Sequence, residues 1–553
     1  MIRIKKIITL LIISSSIVLG ANTSTVNSGI IERQIQTPKV PFEKKENIEI
    51  QGLQNDSVKS DISNKKIFVK DFAFSGNKLI SSEELKDSIK AYIGKELTFN
   101  QIQELLAIVT KIYIDKGYFV ARAYLKKQDL LKNNSVLKIS IIEGKFEEIK
   151  LNNSSLVNTN SLEAVLDDVK SNEIINIDEI QRSILLINDK SGVKVKSASI
   201  EAGSKIGSSN LLIETTPTKR VDGYVVVDNY GSRYTGENRV QALANINSPF
   251  NIGDKLTVSG LVSNGADLKN GKLAYEIPLL SNGLKADFAY SRTNYNLVKE
   301  YKTLDADGNS NIYEVGMSYA VVLKNDESLY AKLKYYYKDM NDYMDNVKYE
   351  DKTINSIVAS LDYNKNYFLG EFLSRLFSNV NLTTGHLSNG SNIDDGNYNK
   401  IDAYVSNEIA FSTIFSLNTS LTAQKVLGNK NLDGSEDLSL GGAYGVRLYP
   451  DSEQSSENGY ILNFELLSQL PNILKYSHKV GLFYDIGDVY AEKNTDTTFE
   501  RKRLKDIGLG YYANYEDFFA RVQIAWNANS DEIQSEDSSH KNSKLLFQAG
   551  WVF

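Results

Sequence analysis

The stretch KLLFQAGWVF, Lys544 to Phe553, decides how the second half of this chain is read. Leu545, Phe547, Ala549, Trp551 and Phe553 fall on one face of an extended strand, and all five are apolar. Lys544, Gln548 and Gly550 take the other face, with Leu546 and Val552 as exceptions. A strand with lipid on one side and a wetter space on the other gives this period of two. A soluble sandwich with one buried face gives it too, so the neighbouring segments must decide.

From Val221 onward no helical period is found. Segments of about ten residues alternate with period two and are separated by Asn-, Asp-, Gly- and Ser-rich breaks. VDGYVVVDNYGSRY, GDKLTVSGLVSN, SLYAKLKYYY and KVGLFYDIGDVY are examples. About sixteen such strands can be counted, to within about two, and bacterial outer-membrane barrels have an even number. The 32 tyrosines against 2 tryptophans and 7 prolines suit strands that end at a membrane–water boundary. A mean hydropathy of −0.31 excludes a bundle of transmembrane helices but not a barrel. The expected fold is therefore a transmembrane antiparallel β-barrel over residues 220–553.

The beginning of the chain points the same way. MIRIKKIITLLIISSSIVLGA has a basic start (Arg3, Lys5, Lys6), an apolar run too short to span, and small residues at Gly20 and Ala21. Residues 1–21 read as a cleaved secretory signal. Residues 22–65 are polar and read as a linker, with a possible short helix in SGIIERQIQTP (Ser28–Pro38). Two α+β units follow, each in the order β-α-α-β-β. The first, residues 66–145, carries a capping box at Ser81 and Glu84. Its second helix has an apolar face of Ile102, Leu105, Leu106, Val109 and Ile112, closed by Gly117. The second unit spans residues 146–219.

Composition narrows the chemistry. Sixty-three basic residues against 69 acidic ones leave no nucleic-acid footprint. With no cysteine and only three separated histidines (His386, His478, His540), neither a metal centre nor a catalytic triad is expected. The chain is read as a non-enzyme without cofactor. DADGNSN (Asp305–Asn311) and NLDGSED (Asn431–Asp437) lack full calcium-ligand spacing and read as hairpin loops.

Several separated motifs, in order, resemble the outer-membrane transporters of two-partner secretion systems, the hemolysin secretion/activation type. They are FSGNKLISSEEL, YIDKGYFVARAYLKKQDL and IIEG in the first unit, and VVDNYGSRYTGENR with NIGDKLTVSG at the barrel entrance. LGGAYGVRLYP and FYDIGDV follow inside the barrel. Lys126 stands where the family usually has proline, and Leu448 where it usually has a small residue. The resemblance implies two periplasmic POTRA domains before a sixteen-stranded barrel, with export of an unfolded exoprotein bearing an N-terminal secretion domain. It also implies partnership with outer-membrane lipid and, during biogenesis, with the barrel-assembly machinery, for which Trp551 and Phe553 form the C-terminal signal. Candidate exoprotein-binding residues in the first POTRA unit are Gly117, Tyr118, Arg122, Tyr124 and Gln128, with contacts around 118–125 and 136–144 and the choice of free edge left open.

The residues supply part of a mechanism directly. Alternation in KVGLFYDIGDVY turns Val480, Leu482, Tyr484 and Ile486 to lipid, and Gly481, Phe483, Asp485 and Gly487 to the lumen. The two flanking glycines leave room for close approach. Spacing alone leaves Arg447 a solvated loop charge. The resemblance assigns Arg447 to an inward loop, residues 436–456, whose motif comprises Gly441, Gly442, Tyr444, Gly445, Val446, Arg447 and Tyr449. Its wall partner is then Asp485, with Glu465 as a second candidate. Three rival readings remain: a barrel-assembly factor of the same superfamily, a diffusion porin lacking need of such an arm, and a barrel enzyme built around His386.

Overall fold

The computed structural model describes residues 26–41, 50–51, 66–129, 134–171, 174–390, 394–451, 453–493, 501–529, 531–533, 535–536 and 542–553. The signal at 1–21 lies outside the described residues. Helix α1 (Ser28–Gln34) forms within the segment read as a linker, with the Asn27 side chain capping it by accepting from the Ile30 amide. The strand β1 (Ile50–Gln51) also comes from that linker, and it has too few residues to leave a period in the sequence.

The first arm unit comprises β2 (Lys66–Val69), β3 (Asp71–Ser75), α2 (Ser82–Ser88), β4 (Lys95–Thr98), α3 (Phe99–Asp115), β5 (Arg122–Tyr124) and β6 (Val136–Ile142). Ser81 caps α2 through the Glu84 amide. The reciprocal capping box lies at Thr98 and Gln101, ahead of α3. Ile102, Leu105, Leu106 and Val109 are buried on α3 with Tyr113, and Gly117 takes the left-handed conformation that ends the helix (φ 88°). Strand β4 pairs with β2, an addition to the expected β-α-α-β-β order.

The second unit runs β7 (Lys145–Asn153), α4 (Thr159–Ser171), α5 (Ile177–Asn188), β8 (Lys194–Ala202) and β9 (Ser208–Thr216). Its sheet order is β1-β8-β9-β7, so linker residues Ile50 and Gln51 extend it in parallel beside Ala198 and Ser199. Its core continues into the barrel, where Leu186 and Ala320 share one buried cluster. Arg182 donates to the Ala320 carbonyl at 2.7 Å, and Lys285 of the wall pairs with Asp189 at 2.9 Å.

The barrel opens with β10 (Val221–Asp228), β11 (Arg239–Asn247), β12 (Lys255–Ser263), β13 (Leu268–Pro278), β14 (Leu284–Asn296), β15 (Ala306–Leu323), β16 (Glu327–Met344) and β17 (Val347–Leu369). It continues with β18 (Phe372–Ser388), β19 (Gly396–Ala410) and β20 (Phe415–Val426). Two short strands, β21 (Leu438–Ser439) and β22 (Ser455–Ser456), belong to an infolded loop. The wall ends with β23 (Asn458–Gln469), β24 (Tyr476–Tyr490), β25 (Arg503–Tyr515), β26 (Phe518–Asn527) and β27 (Ser543–Val552). Sixteen antiparallel strands close, with β27 against β10 from Val552↔Tyr224 to Gln548↔Asp228.

On β27, Leu545, Phe547 and Trp551 face outward, while Leu546 and Gln548 are fully buried inside. Val552, an exception to the alternation, packs inward against Val40, Tyr224, Val226 and Phe519. The lumen here is filled by protein, so an inward apolar side chain has apolar neighbours. Asp305–Asn311, expected in a hairpin loop, enters the wall instead. Ala306 onward belongs to β15, and only Asp305 keeps a turn conformation (φ 46°).

Candidate functional site

The loop between β20 and β23 turns back into the barrel as a hairpin. Leu438 and Ser439 pair with Ser456 and Ser455, and the Leu440 amide donates to the Gln454 carbonyl. Three glycines make its tip feasible. A Cβ at Gly441 would lie 1.8 Å from the Pro450 carbonyl oxygen, one at Gly445 would lie 2.3 Å from that of Leu440, and Gly442 has φ 97°. Leu440, Val446, Leu448 and Tyr449 are buried against Ile461, Phe483, Val489 and Leu504. Leu448, the departure from the family pattern, is thereby a core residue of the loop–wall contact.

Arg447 leaves this tip and reaches β24. Its Nε donates to Asp485 Oδ2 at 2.9 Å and its Nη2 to Oδ1 at 3.3 Å, a forked contact between a 7 % exposed and a fully buried side chain. Glu465 Oε1 lies 3.5 Å from Nη1. The guanidinium carbon sits 3.7 Å from the centroid of the Phe483 ring, within range of a cation–π contact. That ring abuts Gly508, where a Cβ would fall 2.1 Å from its Cζ. At Gly487 the space is taken by Leu440 and Val446 of the loop, which a Cβ would meet at 2.8 and 3.3 Å. Gly481 performs the same service for Leu467 and Glu465.

Four further residues complete the site without having been marked in the sequence. Asn463 donates to Asp485 Oδ1 at 2.9 Å and to the Gly445 carbonyl at 2.8 Å, tying wall to loop. Asp506, opposite Asp485 on β25, accepts from the Leu448 amide at 2.7 Å. Tyr512 donates to Glu465 and accepts from Gln523. Alternation gives the lumenal face of each residue; their common height comes only from strand register, which the sequence does not display.

The remaining loop residues point both ways along the lumen. The Tyr449 hydroxyl donates to the Asp531 carbonyl at 2.7 Å. Tyr444 accepts from the Lys39 amide, and the Lys39 ammonium stands 4.8 Å from its ring. Asp433 and Glu436, from the segment with faint calcium character, are engaged by Lys352 at 2.7 Å and by Lys338 and Lys400 at 2.6 and 2.9 Å. His386 faces a different group, Asn397.

Helix α1 shares the lumen with this loop. The Ser28 amide and hydroxyl both donate to buried Asp342 at 2.8 Å, and Glu32 accepts from Thr293 and Ser310. Arg33 donates to the Gly434 carbonyl at 2.9 Å. Beyond the helix, Lys39 lies against Tyr444 and Val40 packs with Phe519.

In the arm, the five proposed contact residues separate. The Gly117 carbonyl accepts from the Ile177 amide of the second unit, so this glycine serves the joint between units. Tyr118 packs partly buried on the core beside Tyr113, and Arg122 folds back onto the Phe119 and Ala121 carbonyls. Tyr124 ends β5, an edge strand. The Gln128 side chain makes two 2.9 Å bonds with the Lys138 backbone, occupying that part of the edge as a strand would. Of the stretch 136–144, Val136–Ile142 form β6, the central strand, paired with β3 along Val136–Ser140 and with β5 along Ser140–Ile142.

A closed sixteen-stranded barrel, its lumen entered by an infolded arginine loop and a short helix and its start joined to two α+β units, defines an outer-membrane transporter with a periplasmic POTRA arm. Residues 207–510 match the haemolysin secretion/activation protein ShlB/FhaC/HecB family and residues 67–144 its ShlB-type POTRA domain, so the chain belongs to that family, the outer-membrane transporters of two-partner secretion. The heme/hemopexin transporter protein HuxB of Haemophilus influenzae (strain 86-028NP) is 27 % identical over 466 residues, covering 81 % of each chain. The hemolysin transporter protein ShlB of Serratia marcescens is 23 % identical over 411 residues, covering 72 % of this chain and 71 % of its own. The solved structure of CdiB from Escherichia coli superposes with a TM-score of 0.75 at 19 % identity, covering 90 % of this chain and 93 % of that one.

Proposed function

We propose that this transporter takes one large exoprotein, unfolded, from the periplasm through its POTRA arm and passes it outward along the barrel lumen without ATP. The observation that carries the reading is the Arg447–Asp485 contact: a forked ion pair, buried on both sides, fixing an infolded loop to the wall of an otherwise wide cylinder. A buried pair is a poor source of net stability but an effective way to specify one arrangement, because breaking it strands a charge. The pair is thus a positioning device, holding the loop against β24 while the lumen is cleared of α1.

Recognition falls to the arm, where an extended client can add to an unpaired strand edge and have its side chains sorted by adjacent pockets. No phosphate-binding loop of the Walker type occurs in the sequence. The outward bias comes from the cargo, whose folding outside the cell traps each emerging stretch. The test is co-expression with a large exoprotein bearing an N-terminal secretion domain, the expected product of a neighbouring gene. Deletion of the transporter should abolish release of that protein alone while other outer-membrane proteins keep their levels. A general loss of outer-membrane proteins would instead identify an assembly factor.

A further inference from the structure

On the outer face of β24 and β25 a cationic ledge stands directly above the apolar belt. Tyr484 pairs with Ile507, the next outward pair is Ile486 with Lys505, and the next is Asp488 with Arg503. Each step advances about 7 Å along the tilted strand, a rise of roughly 5 Å toward the rim opposite the arm. Below the ledge, Phe464, Leu482, Ile507 and Leu509 are 40–53 % exposed on the lipid side. Lys505 must point outward, since its neighbours Leu504 and Asp506 are buried in the lumen.

The ledge is built, not a scatter of surface charges. Arg501 grips Asp488 through Nε and Nη2 at 2.7 and 3.0 Å, and Arg503 adds contacts at 3.2 and 3.4 Å to the same carboxylate. Both arginine side chains nevertheless remain more than half exposed, at 54 % and 55 %. The Tyr490 ring lies between Arg501 at 5.0 Å and Lys425 at 5.5 Å, and Lys425 is itself paired with Glu492. Among the described residues these four cations meet two carboxylates, and Lys505 has no carboxylate partner there. Asp488, only 4 % exposed, orients the guanidinium groups without offering its own charge outward.

We infer that this ledge is a binding site for the phosphorylated headgroup of an outer-leaflet glycolipid, one whose acyl chains lie along Phe464, Leu482 and Leu509. The position fixes the ligand class. A site facing bilayer on the outer rim meets the headgroup level of that leaflet, and guanidinium groups with N–H donors to spare suit a phosphate. The inference rests on the outer-membrane reading but not on the export mechanism.

The test uses the full-length protein in detergent, with native mass spectrometry of retained lipid. Wild type should keep diphosphorylated lipid A in preference to phosphatidylglycerol. The double variant Arg501→Gln, Lys505→Gln should retain it roughly tenfold or more weakly, as removal of two headgroup-level cations implies. Arg503 is left in place so that Asp488 is never stranded, and migration of the unheated protein on gels verifies the fold. Lys475→Gln, at the opposite rim, should change nothing. Equal retention by wild type and double variant, equal retention of phosphatidylglycerol, or the same loss from Lys475→Gln would each overturn the assignment.

Discussion

At the scale of single residues, the site is a stack: Gly508 admits the Phe483 ring, the ring supports the guanidinium of Arg447, and Asp485 receives its N–H groups. Arg447→Ala would leave Asp485 buried without its partner, a cost of about 3–5 kcal/mol where no other cation can replace it. The barrel, held by sixteen ladders, should still insert. Export should fall more than about tenfold, a change that needs only about 1.4 kcal/mol at the site. Quantifying secreted exoprotein against transporter at the cell surface checks this, and normal export would dismiss the role given to Arg447. Gly508→Val should act at a distance, displacing Phe483 and lowering export with Arg447 intact; unchanged export would mean the ring support is dispensable. Arg447, Asp485 and Glu465 were legible because motif and alternation named them. Gly508, Asn463, Asp506 and Tyr512 were not, since a period of two assigns a face and leaves height along the barrel undetermined.

At the scale of elements, strands announced themselves more clearly than the segments they enclose. Two-sided environments imprint alternation on β24 and β27, whereas β1 has two residues and β4 four, too short for any period. The short helix at Ser28 was expected from SGIIERQIQTP, but its place in the lumen depends on Asp342, 314 positions away. Gly29 permits a close approach there, a Cβ falling 3.0 Å from that of Ser435. Cysteines at both positions, the only ones in the chain, can join once the helix backs off by a little under about 1 Å, since a disulfide spans about 3.8 Å between Cβ atoms. Gly29→Cys with Ser435→Cys should block export when oxidised and restore it on reduction. Undiminished export by the oxidised protein would show that α1 need not leave. The last strand carries a separate expectation. Phe553 exchanges two backbone bonds with Gly223 across the seam. Deleting Phe553 should therefore lower the yield of heat-modifiable barrel at the membrane, while equal yield would locate the terminal signal elsewhere.

At the scale of the whole molecule, arm, wall, loop and helix form one connected path. The second POTRA unit is bolted to the wall through Arg182 and Asp189, the segment after α1 runs past Tyr444, and Tyr444 belongs to the loop that Arg447 fixes. A client arriving at the arm therefore meets a lumen whose contents are held by contacts that must be exchanged, not by covalent closure. The architecture was readable from order and periodicity because membrane and lumen constrain every second residue. The path was not, because it is made of contacts between segments hundreds of residues apart. The most direct measurement of whether loop and wall act as one clamp is a double-substitution cycle on export rate with Arg447→Lys and Asp485→Asn, chosen to keep rates measurable. The account predicts strong non-additivity, the double variant exporting about as fast as the slower single one. Independent, multiplying losses, or wild-type export from both single variants, would contradict it.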